Sequence, residues 1–190
     1  MLIKQFSAME FKVSGTTGTQ NTNETLGYLV TSASGGIYGV NITLTSLEGN
    51  ETVSFVVDSN NATVLSATIS GFTFHGSAAK VDFDSFMGLF GLEETYQGAI
   101  SVYTGPVNFH STGTTSKTFG TATFDVTTYV ANSLPLSLDT CGITSNITEY
   151  TLEVGTPLGT PLPFITYLHI ASTSPNTEDF TFQLVSMTVG

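Results

Sequence analysis

Hydrophobic and polar residues alternate with a period of two along most of the chain, the pattern of strands with one face buried and the other in solvent. In 37–47, Tyr38, Val40, Ile42 and Leu44 share one face, and Asn41, Thr43 and Thr45 the other. In 51–58, Val53, Phe55 and Val57 alternate with Thr52, Ser54 and Val56. Segment 62–75 reads as one strand, with Val64, Ser66, Thr68, Ser70, Phe72 and Phe74 opposite Leu65, Ala67 and Ile69. Further alternating runs span 26–33, 96–103, 117–130, 147–154, 164–171 and 178–189. Turn chemistry separates them, as at Ser34-Gly35-Gly36, Asp58-Ser59-Asn60-Asn61 and Ser174-Pro175-Asn176.

One stretch changes period. Phe83, Phe86, Met87 and Phe90 fall at i, i+3, i+4 and i+7, and Asp84-Ser85 can cap the run, which predicts a short helix over 86–92 plugging one end of the fold. Ten or eleven strands and one helix predict an all-β chain, an antiparallel β-sandwich of jelly-roll type, with its main domain at 24–190.

The start of the chain divides differently. Within residues 1–14, Ile3, Met9, Phe11 and Val13 share one face, with Lys4, Glu10 and Lys12 on the other. Residues 15–23 are polar or glycine and read as a flexible tether. The arm is either the first strand of its own sheet or a strand donated to a neighbouring copy, completing that copy's sheet through main-chain hydrogen bonds. With Ser14, the polar segment 14–23 has ten residues, which when extended reach at most about 33–36 Å, enough to cross a subunit interface.

Composition narrows the function classes. Thr and Ser number 33 and 20 in 190 residues, whereas charged residues are only 10% of the chain. An average soluble domain has about 25%. Four lysines and no arginine against 15 acids give a net charge of -11, so no basic stripe exists to neutralise phosphates or to bind an anionic membrane surface. No apolar run reaches the roughly 20 residues that span a bilayer as a helix, so no membrane insertion is expected. The hydrophobic fraction of 40%, with 14 Phe and 7 Tyr, is enough to bury a core, which argues against disorder.

Five N-x-[ST] sequons begin at Asn23, Asn41, Asn50, Asn61 and Asn146. With ten Asn and this Ser/Thr content, chance gives about three. All five fall on polar faces, turns or strand ends, and they point to an N-glycosylated extracellular chain. The first residues lack the apolar stretch of a signal peptide.

Catalytic signals are sparse. His75, His110 and His169 are isolated in strand-like segments, and no G-x-S-x-G spacing accompanies the abundant serines. The lone Cys141 has no disulfide partner in the chain. Asp82, Asp84, Glu93 and Glu94 bracket the expected helix and form a candidate calcium site, since calcium takes six to eight hard oxygen ligands. A non-enzymatic chain is expected.

The C-terminal run Phe180-Thr181-Phe182-Gln183-Leu184-Val185, ending Val189-Gly190, resembles the closing strand of archaeal cannula subunits, secreted all-β proteins that polymerise into extracellular tubes. Phe11-Lys12-Val13-Ser14-Gly15-Thr16, and Gly27-Tyr28-Leu29-Val30 leading into Val40-Asn41-Ile42-Thr43-Leu44, echo the same family. The hydroxyl-rich, charge-poor texture also resembles the glycosylated threads and pili of hot-acid archaea. The resemblance implies self-assembly by donor-strand complementation, with calcium at subunit contacts in the cannula case. The expectation is a structural subunit of an extracellular homopolymer, with Ile3, Met9, Phe11 and Val13 as the assembly arm. The alternatives are a secreted binding module for a lipid or glycan and a viral capsid jelly roll.

Overall fold

A computed structural model of the chain describes residues 6–61, 63–81, 83, 109–140, 143–157, 163–173 and 177–190. Twelve strands make up almost all of it: β1 (Phe6–Thr17), β2 (Gln20–Ser34), β3 (Ile37–Ser46), β4 (Gly49–Asp58), β5 (Thr63–Ile69), β6 (Phe72–His75), β7 (Phe109–Phe119), β8 (Ala122–Ala131), β9 (Leu136–Thr140), β10 (Ile143–Pro157), β11 (Phe164–Ser172) and β12 (Glu178–Val189). All strand pairs are antiparallel, and the order is β6-β5-β4-β3-β2-β1-β12-β11-β10-β8-β7, with β9 pairing β10 beside this path. The chain is all-β, as its alternating pattern requires.

The two layers of a sandwich are here limbs of one continuous sheet, which among the described residues does not close on itself. The larger core joins Phe11, Tyr28, Ile42 and Phe55 of the β1–β5 limb to Phe124 and Val126 of β8 and Phe164 of β11. Phe164 stands 5.6 Å from Phe6 and 6.2 Å from Phe124, both edge-to-face. A smaller core gathers Phe109, Ile147, Tyr150, Leu152 and Ile165. On β11, Phe164 lies opposite Gly155 and Ile165 opposite Val154, so adjacent residues enter different cores. This stretch is therefore buried on both faces, the condition met by an inner strand of a layered fold. Gly155 is needed there, because a Cβ at that position would come within 2.8 Å of the Phe124 ring and 2.7 Å of the Thr166 methyl.

Bulges break the period of two and send residues of opposite parity into one core. The register between β1 and β12 slips between Phe6 and Ala8, leaving Ser7 as an extra residue, so Phe6 joins Met9 and Phe11. It slips again at Val185, and Leu184 and Met187 both face the larger core. Thr166 is the extra residue of β11; it is buried, and its hydroxyl donates to the Glu153 carbonyl.

The expected single strand over 62–75 is instead the β5–β6 hairpin, turned at Ser70-Gly71, where both residues have positive φ. A bulge at Leu65 brings Val64, Ala67 and Ile69 onto the core face together. Likewise 117–130 is a hairpin, turned at Gly120-Thr121. Residues 77–81 and 83 are helical, so a helix begins before the expected Asp84-Ser85 cap. Its Ala79 and Phe83 are buried, with Phe83 5.1 Å from Phe55. The stretch 86–92 lies outside the described residues.

Candidate assembly surface

The N-terminal segment is β1, and both of its edges are hydrogen-bonded within its own chain. Met9 pairs with Tyr28 on β2 and Met187 on β12; Phe11 pairs with Leu26 and Leu184. Met9 and Phe11 are buried, and Phe11 stacks on Phe182 at 4.8 Å. Val13 is half-buried, opposite Phe182, and Ile3 lies outside the described residues. The segment read as a tether over 15–23 is the tip of the β1–β2 hairpin: Thr17 pairs with Gln20 across a turn at Gly18-Thr19, and Gly18 N–H donates to the Thr177 carbonyl. Polar residues with nothing to bury made this stretch look free. Its backbone groups are satisfied by β2 and β12, which the side-chain pattern does not reveal.

The unpaired strand edges lie elsewhere. Among the described residues, β6 and β7 end the path of neighbours. Strand β6, Phe72-Thr73-Phe74-His75, has no charged residue, and Phe72 and Phe74 are 72% and 42% exposed. They lie opposite Ile69 and Ala67, so the apolar row of the larger core runs out to this edge. Strand β7 is 11 residues long, and His110 to Ser116 are all exposed. Its single charge, Lys117, reaches across β8 and donates to both carboxylate oxygens of Glu153, at 2.7 and 2.6 Å. Natural sheets commonly guard exposed edges with charges, prolines or very short strands. Here β6 is short, whereas β7 is long and its lysine is engaged inside the chain. The β7–β8 turn is anchored where Thr121 N–H donates to the Met187 carbonyl and Thr121 Oγ1 accepts from Val189 N–H.

Solvent faces are held by hydroxyls. Cross-strand pairs Thr43–Thr52, Thr68–Thr73, Thr114–Thr127 and Thr118–Thr123 share hydrogen bonds of 2.9–3.3 Å between their side-chain oxygens. Threonine supplies such a surface without charge because its branched Cβ suits a strand and its hydroxyl both donates and accepts.

The histidines are dispersed. His75 lies on the edge strand β6, with Nδ1 3.3 Å from the Leu65 carbonyl. His110 Nδ1 is 2.8 Å from Asn132 Oδ1. His169 Nε2 lies 3.3 Å from Asp179 Oδ1, with its Nδ1 3.8 Å from Glu149 Oε2, a trio spanning β10, β11 and β12 that single-strand patterns could not foretell. Burial, reinforced by the neighbouring Tyr38 phenol, holds the Tyr28 phenol well above its ordinary pKa.

The candidate calcium ligands Asp82, Asp84, Glu93 and Glu94 lie outside the described residues, as does Cys141. Among the described residues no group of three or more His, Cys, Asp or Glu side chains is placed to hold a metal ion. Nor does any described helix have the length and apolarity to cross a membrane. Of the sequon asparagines, Asn23, Asn50 and Asn61 are exposed, and Asn41 and Asn146 are half-buried. Asn61 Nδ2 donates to Asp58 Oδ2, and Asn146 Oδ1 accepts from the Ser137 hydroxyl.

No family model and no curated protein matches the chain. A solved structure described as the crystal structure of MucB aligns with 98% of this chain at 12% identity and a TM-score of 0.38. The chain spans about half of that protein, 54% of its length, and a likeness of this order carries no inference about activity.

Proposed function

We propose that the protein is a non-enzymatic structural subunit of an extracellular filament or tube, which self-associates by adding strand to strand. The observation that carries this reading is the pair of terminal strands β6 and β7, whose outer edges take no strand partner among the described residues. The strand-donating role expected of residues 1–14 passes to these edges, because β1 already fills the groove between β2 and β12 of its own chain. Pairing β6 of one copy with β7 of the next is a head-to-tail contact, which propagates into an open filament unless its rotation closes a ring. Main-chain hydrogen bonds would supply the affinity, and Phe72 and Phe74 would supply apolar contacts across the joint.

The second reading is a secreted binding module for a lipid or glycan, in which the helix that seats Ala79 and Phe83 on the sheet would be the cover of the ligand.

Sedimentation and negative-stain microscopy of the full chain separate the two. Wild type is expected to form filaments at high concentration. Phe72→Lys on β6 and Thr115→Lys on β7 should each weaken assembly and together abolish it, with the far-UV spectrum of the monomer retained. A strictly monomeric wild type, or filaments that survive the double variant, would reject assembly through these edges.

A further inference from the structure

The period of two places Leu29, Asn41, Ser54 and Val56 on the solvent face of β2–β4, because Tyr28, Val40, Ile42, Phe55 and Val57 fill the core face. Asn41 lies directly across from Leu29 on one side and Ser54 on the other. Val56 is two residues beyond Ser54 and faces Gly39, where the Thr31 and Ser32 hydroxyl oxygens take the space of the missing side chain. Leu29 and Val56 are 51% and 37% exposed. The extra residue of the β5 bulge, Leu65, is exposed nearby. Leu29 and Val56, with Leu65 beyond, thus form a discontinuous apolar patch, interrupted by Ser54 and by the Thr31 and Ser32 hydroxyls, on a face otherwise built from hydroxyls. Asn41 stands inside it, half-buried, and opens the sequon Asn41-Ile42-Thr43.

We propose that Asn41 is N-glycosylated and that its glycan is the cover of the Leu29–Val56 patch. A covalently tethered sugar is held beside the patch at high effective concentration, so weak contacts between its C–H faces and the apolar side chains are enough to cover it. The neighbouring sequons leave room for this. Asn50 pairs with Thr45, four residues along β3 from Asn41, a separation of about 13 Å at roughly 3.3 Å per residue. Asn23, opposite Ser14, shares the same solvent face. Strands β6 and β7 contain no asparagine, so glycans on this face leave the proposed assembly edges open. The proposal does not depend on assembly.

The test is secretion of the full chain, with an added leader, through a eukaryotic host that modifies N-x-[ST]. Site mapping by peptide mass and hydrophobic-dye fluorescence before and after enzymatic deglycosylation are the readouts. The Asn41 peptide should be modified, and deglycosylation should raise dye fluorescence several-fold. Asn41→Gln, and Thr43→Val as a second variant that destroys the sequon but keeps Asn41, should show the raised signal without enzyme. Leu29→Ser with Val56→Thr should remove the rise, and Asn23→Gln should leave it unchanged. An unmodified Asn41 beside modified Asn23 and Asn50 would overturn the proposal. So would dye fluorescence unchanged by deglycosylation, or a rise that persists in the Leu29→Ser/Val56→Thr chain. Filaments are scored separately by microscopy, so either proposal can fail alone.

Discussion

Strands β1 and β7 are nearly equal in length, 12 and 11 residues, and differ in almost everything else. Strand β1 is bonded along both edges and sends Phe6, Met9 and Phe11 into the core. Among the described residues, strand β7 is bonded along one edge, and only Phe109 at its start is buried. The contrast shows that a strand's role follows from its place in the sheet order. A strand in the middle holds the molecule together, whereas one at the end offers hydrogen-bonding groups to whatever arrives.

The largest effect that would break this comparison is at Phe11. Phe11→Ala should cost about 3–5 kcal/mol in denaturant unfolding, since it empties a fully buried aromatic site. A loss below about 1 kcal/mol would mean that β1 is not an integral strand. Next is Gly120, the point at which the β7–β8 turn meets β12. Its φ is +61°, and an added Cβ would lie 2.6 Å from the Met187 carbonyl oxygen. Gly120→Ala combines left-handed strain with a backbone clash and should cost about 2–3 kcal/mol, read as a lower unfolding midpoint. A neutral outcome would place the β7–β8 turn away from β12.

A smaller, pH-dependent effect tests the β1–β2 pair at Met9 and Tyr28. The folded state holds the Tyr28 phenol neutral, whereas an unfolded phenol ionises near 10. The stabilisation is therefore complete below that pH and is lost as pH rises beyond it. Unfolding midpoints measured from pH 8 to 11 should fall less steeply in Tyr28→Phe than in wild type, and parallel slopes would refute the burial argument.

Much of this could be read from the residues alone. Alternation places the core faces of β3 and β4 correctly and puts Met9 and Phe11 on one face, though whether that face serves the chain's own core or a neighbour's is not written in the pattern. What could not be read follows from bulges and partners. Single extra residues at Ser7, Leu65, Thr166 and Val185 reverse the parity that a strict alternation assumes. The polar stretch at 15–23 carries no apolar side chain to announce that its backbone is paired.

The sequence by itself determined the class of object. β-branched and aromatic residues in alternation fix extended strands, and hydroxyls in place of most charges fix a charge-poor solvent face, because both are properties of neighbouring residues on one strand. Only the tertiary structure decided which strands are central and which are edges. That order depends on contacts between residues as distant as Phe6 and Val189, and strand pairing is made by backbone groups that every residue but proline carries alike.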